Sequence, residues 1–128
     1  MVGALLALGA TLAVSSLGQD NVPLIWDGHL ILRIRVGSGG LTSAERASEI
    51  QMRLEDLMAD QFANERADII GRIAVHKYGK ELTIGTPDRL LMTVTLADAR
   101  ACNSTVFWLA QYWRARIIEA MIIATRTG

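Results

Sequence analysis

One cysteine, Cys102, stands in 128 residues, so no intramolecular disulfide can staple this chain. Its thiol reads as a small, half-buried hydrophobe. Charge of either sign is not in excess: 13 basic and 13 acidic side chains leave a formal net charge of +0. No basic surplus points to nucleic acid or to an anionic lipid surface. Histidine is scarce. His29 and His76 have no cysteine or carboxylate at ligand spacing, so no metal site is expected. No serine–histidine–aspartate grouping carries a recognisable elbow or flanking motif, so no catalytic residue is expected. Internal repeats and low-complexity tracts are absent. What is present in quantity is apolar. Hydrophobic residues make up 51% and charged residues 20%, a balance that argues for a folded chain with one sizeable core.

The first 18 residues, MVGALLALGATLAVSSLG, carry no charged side chain. The run reads as a secretory signal, with Ser16 and Gly18 at the small positions before a cleavage site, or as a retained membrane anchor. Either reading exports the rest of the chain. Residues 19–28 read as a linker punctuated by Pro23 and Asp27-Gly28, and residues 29–128 as one domain.

From His29 to Val36 the chain alternates. Leu30, Leu32, Ile34 and Val36 fall on one face, and Ile31, Arg33 and Arg35 on the other, as in a half-buried strand. Gly37, Gly39 and Gly40 break it ahead of a helix. The cluster matches neither G-x-x-x-x-G-K-[ST] nor G-x-G-x-x-G, and Glu45 would repel a phosphate there. It reads as a flexible strand-to-helix connection, so no nucleotide or other cofactor is expected. Thr42 and Glu45 form a capping-box pair, predicting a helix from Thr42 to about Phe62–Asn64. Its apolar face carries Ala47, Ile50, Leu54, Leu57, Met58 and Phe62. Glu45, Arg46, Glu49, Arg53, Asp56 and Asp60 take the solvated side. Short strands are predicted at Ile70–Tyr78, Glu81–Ile84 and Arg89–Leu96, with a turn at Gly85–Asp88. A loop, DARACNST, then leads to a second long helix over Thr105–Thr125. The expected fold is α+β: a small mixed sheet of about four strands with two long helices on one face, in the order β-α-β-β-β-α.

The last helix has more apolar surface than one face needs. Val106, Ala110, Trp113, Ile117, Ala120, Met121 and Ala124 form one stripe; Phe107, Trp108, Tyr112, Ile118, Ile122 and Ile123 lie outside it. Aromatic residues and arginine are enriched at interfaces. Phe107, Trp108, Tyr112, Arg116, Ile118 and Ile122 are therefore the candidate partner-binding residues. The alternative is a small ligand-binding module or enzyme using Arg33, Arg35 and His76 on the sheet face. A homodimer through the last helix is a third possibility.

Three stretches together form a family pattern: WDGHLILRIRVGSGGLTSAERASEI, LLMTVTLADARACNST and LAQYWRARIIEA. Their order resembles the extracytoplasmic domain that precedes the transmembrane helices in some bacterial, including cyanobacterial, small-conductance mechanosensitive channel proteins. The matching positions are Asp27, Gly28, Ser43, Glu45, Arg46, Ala47, Arg53, Leu54, Val94, Thr95, Asp98, Ala99, Leu109, Ala110 and Ile117, within residues 26–120. Residues 62–90 fit that pattern poorly, and IIEAMIIA, the most apolar run after residue 19, is far too short to span a bilayer. The resemblance thus implies no pore and no catalytic residue. It implies an exported accessory domain in the periplasm or thylakoid lumen, docked on a membrane protein complex.

Overall fold

The structure is a computed structural model that describes residues 21–127; the apolar run 1–18, expected as a leader or anchor, lies outside them. Strand β1 (Val22–Trp26) turns through Asp27-Gly28 into β2 (His29–Ile34). Both turn residues have positive φ, 50° and 79°, the primed geometry that matches the twist of a two-residue hairpin. The segment expected as a linker therefore contributes a strand. Pro23 is tolerated because β1 pairs on one side only.

Helix α1 (Ser43–Ala63) starts where its capping box predicts. The Thr42 hydroxyl accepts from the Glu45 amide and the Glu45 carboxylate accepts from the Thr42 amide. It ends at Asn64. Gln61 then holds the exit turn: its amide donates to the Ala67 carbonyl, and its side-chain oxygen accepts from Ile69 and Ile70. Residues 70–72, expected to be strand, form a short 3-10 helix. Strands β3 (Ala74–Tyr78), β4 (Glu81–Thr86) and β5 (Arg89–Val94) make an antiparallel meander with two-residue turns. Much of the expected loop at 98–105 is instead a short helix, α2 (Leu96–Ala101), set by a second capping box between Thr95 and Asp98. Helix α3 (Val106–Thr127) closes the chain.

The class is α+β, as expected, but the strands form two antiparallel sheets, of two and three strands, rather than one mixed sheet. Both long helices span the two sheets, so the described residues share one core. Leu54, Leu57, Met58, Ile73, Ile84, Leu91, Ile117 and Met121 are its most deeply buried members.

Two β-bulges reset the strand faces. In β2 the register skips from Leu24↔Leu32 to Ile25↔Leu30, leaving Ile31 unpaired. Ile31 is thus buried at 2% exposure while Leu30 stands out at 41%, the reverse of simple alternation. In β5 Leu91 is skipped in the same way and is fully buried, while Leu90 is exposed. Each bulged residue's carbonyl is met by an arginine from a helix: Ile31 by Arg116 Nε at 2.9 Å, Leu91 by Arg53 Nη1 at 3.4 Å.

Arg46 corrects the expectation of a wholly solvated outer face on α1. It is 6% exposed. Its guanidinium meets both carboxylate oxygens of Asp98 at 2.7 and 2.6 Å, and donates to the Val36 and Thr93 carbonyls. Asp98 also accepts from the Thr95 amide and hydroxyl. This buried fork joins the end of β2, the end of β5 and the starts of α1 and α2. Phe62, expected on the apolar face, is instead exposed, and Gln61 is buried beside it.

Candidate functional site

The glycine cluster is a turn. Ser38 and Leu41 exchange two main-chain bonds, of 3.0 and 2.9 Å, around Gly39 and Gly40, whose φ values are 58° and 83°. A Cβ at Gly37 would lie 2.2 Å from the Leu41 carbonyl oxygen. The glycines thus fold the chain back on itself, and Glu45, engaged with Thr42, puts negative charge where a phosphate would need none.

The largest concentration of exposed aromatic surface is at the start of α3. Phe107, Trp108 and Tyr112 are 53%, 66% and 61% exposed, and the rings of Phe107 and Trp108 meet edge to face at 5.1 Å. The Thr105 hydroxyl, accepting from the Trp108 amide, fixes this first turn. Trp113, Ile117 and Met121 lie on the buried side of the same helix.

Beside these aromatic residues runs a groove of about 560 Å³ between α3 and β2. Helix α3 lines it with Trp108, Tyr112, Trp113 and Arg116, β2 with Leu30 and Arg33; Arg35 and Cys102 line it too. The groove thus brings five of the candidate residues together: Trp108, Tyr112 and Arg116 from one expectation, Arg33 and Arg35 from the other. Among the described residues no carboxylate lines it.

The three arginines have different duties. Arg116 is committed. Its Nε donates to the Ile31 carbonyl, Nη2 to the Leu30 carbonyl at 2.6 Å, and Nη1 to Glu119 at 3.2 Å. It pins α3 to β2 and is a positioning residue. Arg33 and Arg35 are exposed and form no ion pair among the described residues; Arg33 makes one long bond, 3.4 Å, to the Asn21 carbonyl. Burial holds the Cys102 thiol above the usual thiol range, against the pull of the neighbouring Arg35 guanidinium, while the Asp98 carboxylate adds to the rise.

Other candidates do not join this site. His76 lies on β3 in the other sheet, beside Thr83, Pro87 and Arg89, so the triplet Arg33, Arg35 and His76 does not converge. Ile118 is packed partly against the core, and with Ile122 it lines a separate hollow with Gln61, Phe62 and Ile70. Trp108 and Ile122 are 14 residues apart, roughly 21 Å along the helix. Among the described residues no group of three His, Cys, Asp or Glu side chains is placed to hold a metal ion, and no helix is long and apolar enough to cross a membrane.

No curated protein and no solved structure matches the chain. A family model described as a domain of unknown function, DUF8459, matches residues 23–124, which span every strand and all but the last residues of α3. The chain belongs to the DUF8459 family.

Proposed function

We propose that this domain is a non-catalytic interaction module that docks on a partner protein through the aromatic start of α3 and the groove beside it. The observation that carries the reading is the exposed cluster Phe107, Trp108 and Tyr112, held on a rigid helix whose other side is core. These three side chains offer roughly 300–400 Å² of accessible aromatic surface, as large as the functional patches of many monomers. That is nearly half of the ~800 Å² a partner contributes to a standard interface. Burial of the same area would leave the sheets and the core untouched.

The apolar first 18 residues and the resemblance to a channel-associated domain extend the proposal. They favour an exported domain in the periplasm or thylakoid lumen, with a membrane protein complex as the partner. Tagged full-length chain sedimented with native membranes, solubilised gently and run on a native gel tests this. Trp108→Ser with Tyr112→Ser releases the chain from the complex while far-UV circular dichroism and Tm stay unchanged, because exposed substitutions shift stability by only about 0.5 kcal/mol. A double variant that unfolds, or one that stays bound, refutes the reading. Migration of the wild type as a dimer alone assigns the aromatic face to self-association instead.

A further inference from the structure

We infer that the groove accepts an extended segment of a partner protein as a third strand on the free edge of β2, and that this segment alternates acidic and apolar residues. The inference rests on the docking reading above and names what docks.

The edge argument comes from register. Pro23 lies opposite Arg33 and has no N–H to give, so this is a non-hydrogen-bonded pair, and the Arg33 amide and carbonyl point away from β1. The same outer edge carries the Leu30 carbonyl, which Arg116 takes. Arg116 thus caps the start of this edge at Leu30 and Ile31, and past the end of β2 Arg46 holds the Val36 carbonyl. Between these two points, among the described residues, no main-chain bond outside the β1–β2 pairing reaches Arg33 or Arg35. The groove opens along this stretch. A strand edge left uncapped beyond Arg116 is a template for strand addition.

The side chains specify the occupant. Arg33 lies in β2 and Arg35 one residue past its end; both are exposed and line the groove, so an added strand that runs past the end of β2 would meet them with alternate residues. Acidic residues fit there, because neither arginine has a carboxylate partner among the described residues. The intervening residues of the added strand would face the opposite way, over the shelf formed by Trp108 and Tyr112, which apolar side chains suit. Trp113, only 3% exposed, also lines the groove.

Two other occupants fit less well. A second copy paired edge to edge through β2 would set Arg33 and Arg35 of one chain against those of the other, a like-charge arrangement that destabilises a sheet. The chain's own first 18 residues contain no carboxylate to meet either arginine.

The test uses the full chain and a blocked nine-residue peptide that alternates Glu with Leu and Thr. Calorimetry is run with this peptide, with its Glu→Gln and Glu→Lys analogues, and with a form N-methylated on the edge that would face β2. Vesicles of phosphatidylcholine with anionic phosphatidylglycerol form a separate arm. The acidic peptide binds; the Gln analogue binds roughly tenfold more weakly and the Lys and N-methylated forms not measurably. Arg33→Gln with Arg35→Gln weakens the acidic peptide by a similar factor at unchanged Tm. Hydrogen exchange at the Arg33 amide slows in the complex. Equal binding of the N-methylated peptide, or no slowing at Arg33, overturns strand addition. Binding of the anionic vesicles through Arg33 and Arg35 with no binding of the peptide assigns the groove to lipid and overturns the inference. Release of the partner by the Trp108/Tyr112 variant, combined with no peptide binding, leaves the docking reading standing and removes only this occupant.

Discussion

Replacing Asp98 with Asn removes one charge and little else. The amide keeps a side-chain oxygen that can still accept from Thr95 at the start of α2, so the helix cap survives. What is lost is the counter-charge to Arg46, whose side chain is 7% exposed against 1% for Asp98. A buried guanidinium without its carboxylate costs about 3–5 kcal/mol, whereas an exposed pair would cost well under 1. Since the whole domain is worth about 5–15 kcal/mol, the variant should lose a large part of its stability and at least about 12 °C in Tm. Arg46→Met should cost as much, because the Val36 and Thr93 carbonyls lose their donor as well. The double variant Arg46→Met with Asp98→Asn should cost less than the sum of the two, by about 2 kcal/mol, since neither charge is then stranded. Urea unfolding followed by far-UV circular dichroism measures all three. An Asp98→Asn penalty under 1 kcal/mol, or single-variant costs that simply add, would show that water reaches the fork and that it does not hold the sheets together.

Two further outcomes follow from the groove walls. Because burial raises the Cys102 thiol, the native state favours the protonated form, a contribution present below the usual thiol pKa and lost as pH rises through the raised value. Iodoacetamide labelling of the native chain should therefore need a higher pH than labelling in urea, and Arg35→Gln should move it higher still; equal profiles would place Cys102 in open solvent. Arg116→Lys should lower stability by about 1–2 kcal/mol, since an ammonium cannot span the Leu30 and Ile31 carbonyls and Glu119 at once, while Arg35→Lys leaves Tm unchanged. Equal Tm values for the two would deny Arg116 its positioning role.

Legibility tracks the range of the interaction that decides each feature. The start of α1 depends on Thr42 and Glu45, three residues apart, and reads directly from the chain. The Asp27-Gly28 turn is equally local, yet the strand before it was hidden, because Pro23 weighs against a strand until its pairing edge is known. The bulges at Ile31 and Leu91 were invisible for the same reason. In LIL and LLM every residue is apolar, and only a partner strand decides which one is skipped. Arg46 sits among Glu45 and Glu49 and looks solvated; the carboxylate that buries it is 52 residues away. The site divides in the same manner. Excess apolar residues on α3 mark Phe107, Trp108 and Tyr112 as unneeded by the core, and period two marks Arg33 and Arg35 as outward. That these two sets face each other across one groove, and that His76 does not join them, is a matter of tertiary packing.

The basic residues themselves separate structure from function. Eleven are arginine and two are lysine. Five of the arginines, Arg33, Arg46, Arg53, Arg114 and Arg116, donate to main-chain carbonyls at strand ends, bulges or loops, Arg33 and Arg53 at a long 3.4 Å. A planar fork can satisfy two such acceptors at fixed spacing, which a lysine cannot, so the bias towards arginine follows from how the two sheets are tied to the helices. Against that background Arg33 and Arg35 stand apart. They lie on β2 and one residue past its end, reach no carboxylate among the described residues, and flank main-chain groups that no other described residue caps. If they served only to keep an edge strand from pairing, lysine would do as well, and aromatic side chains beside them would work against that purpose by inviting contact. Planar guanidinium forks next to Trp108 and Tyr112 are better suited to holding carboxylates on a strand that does arrive.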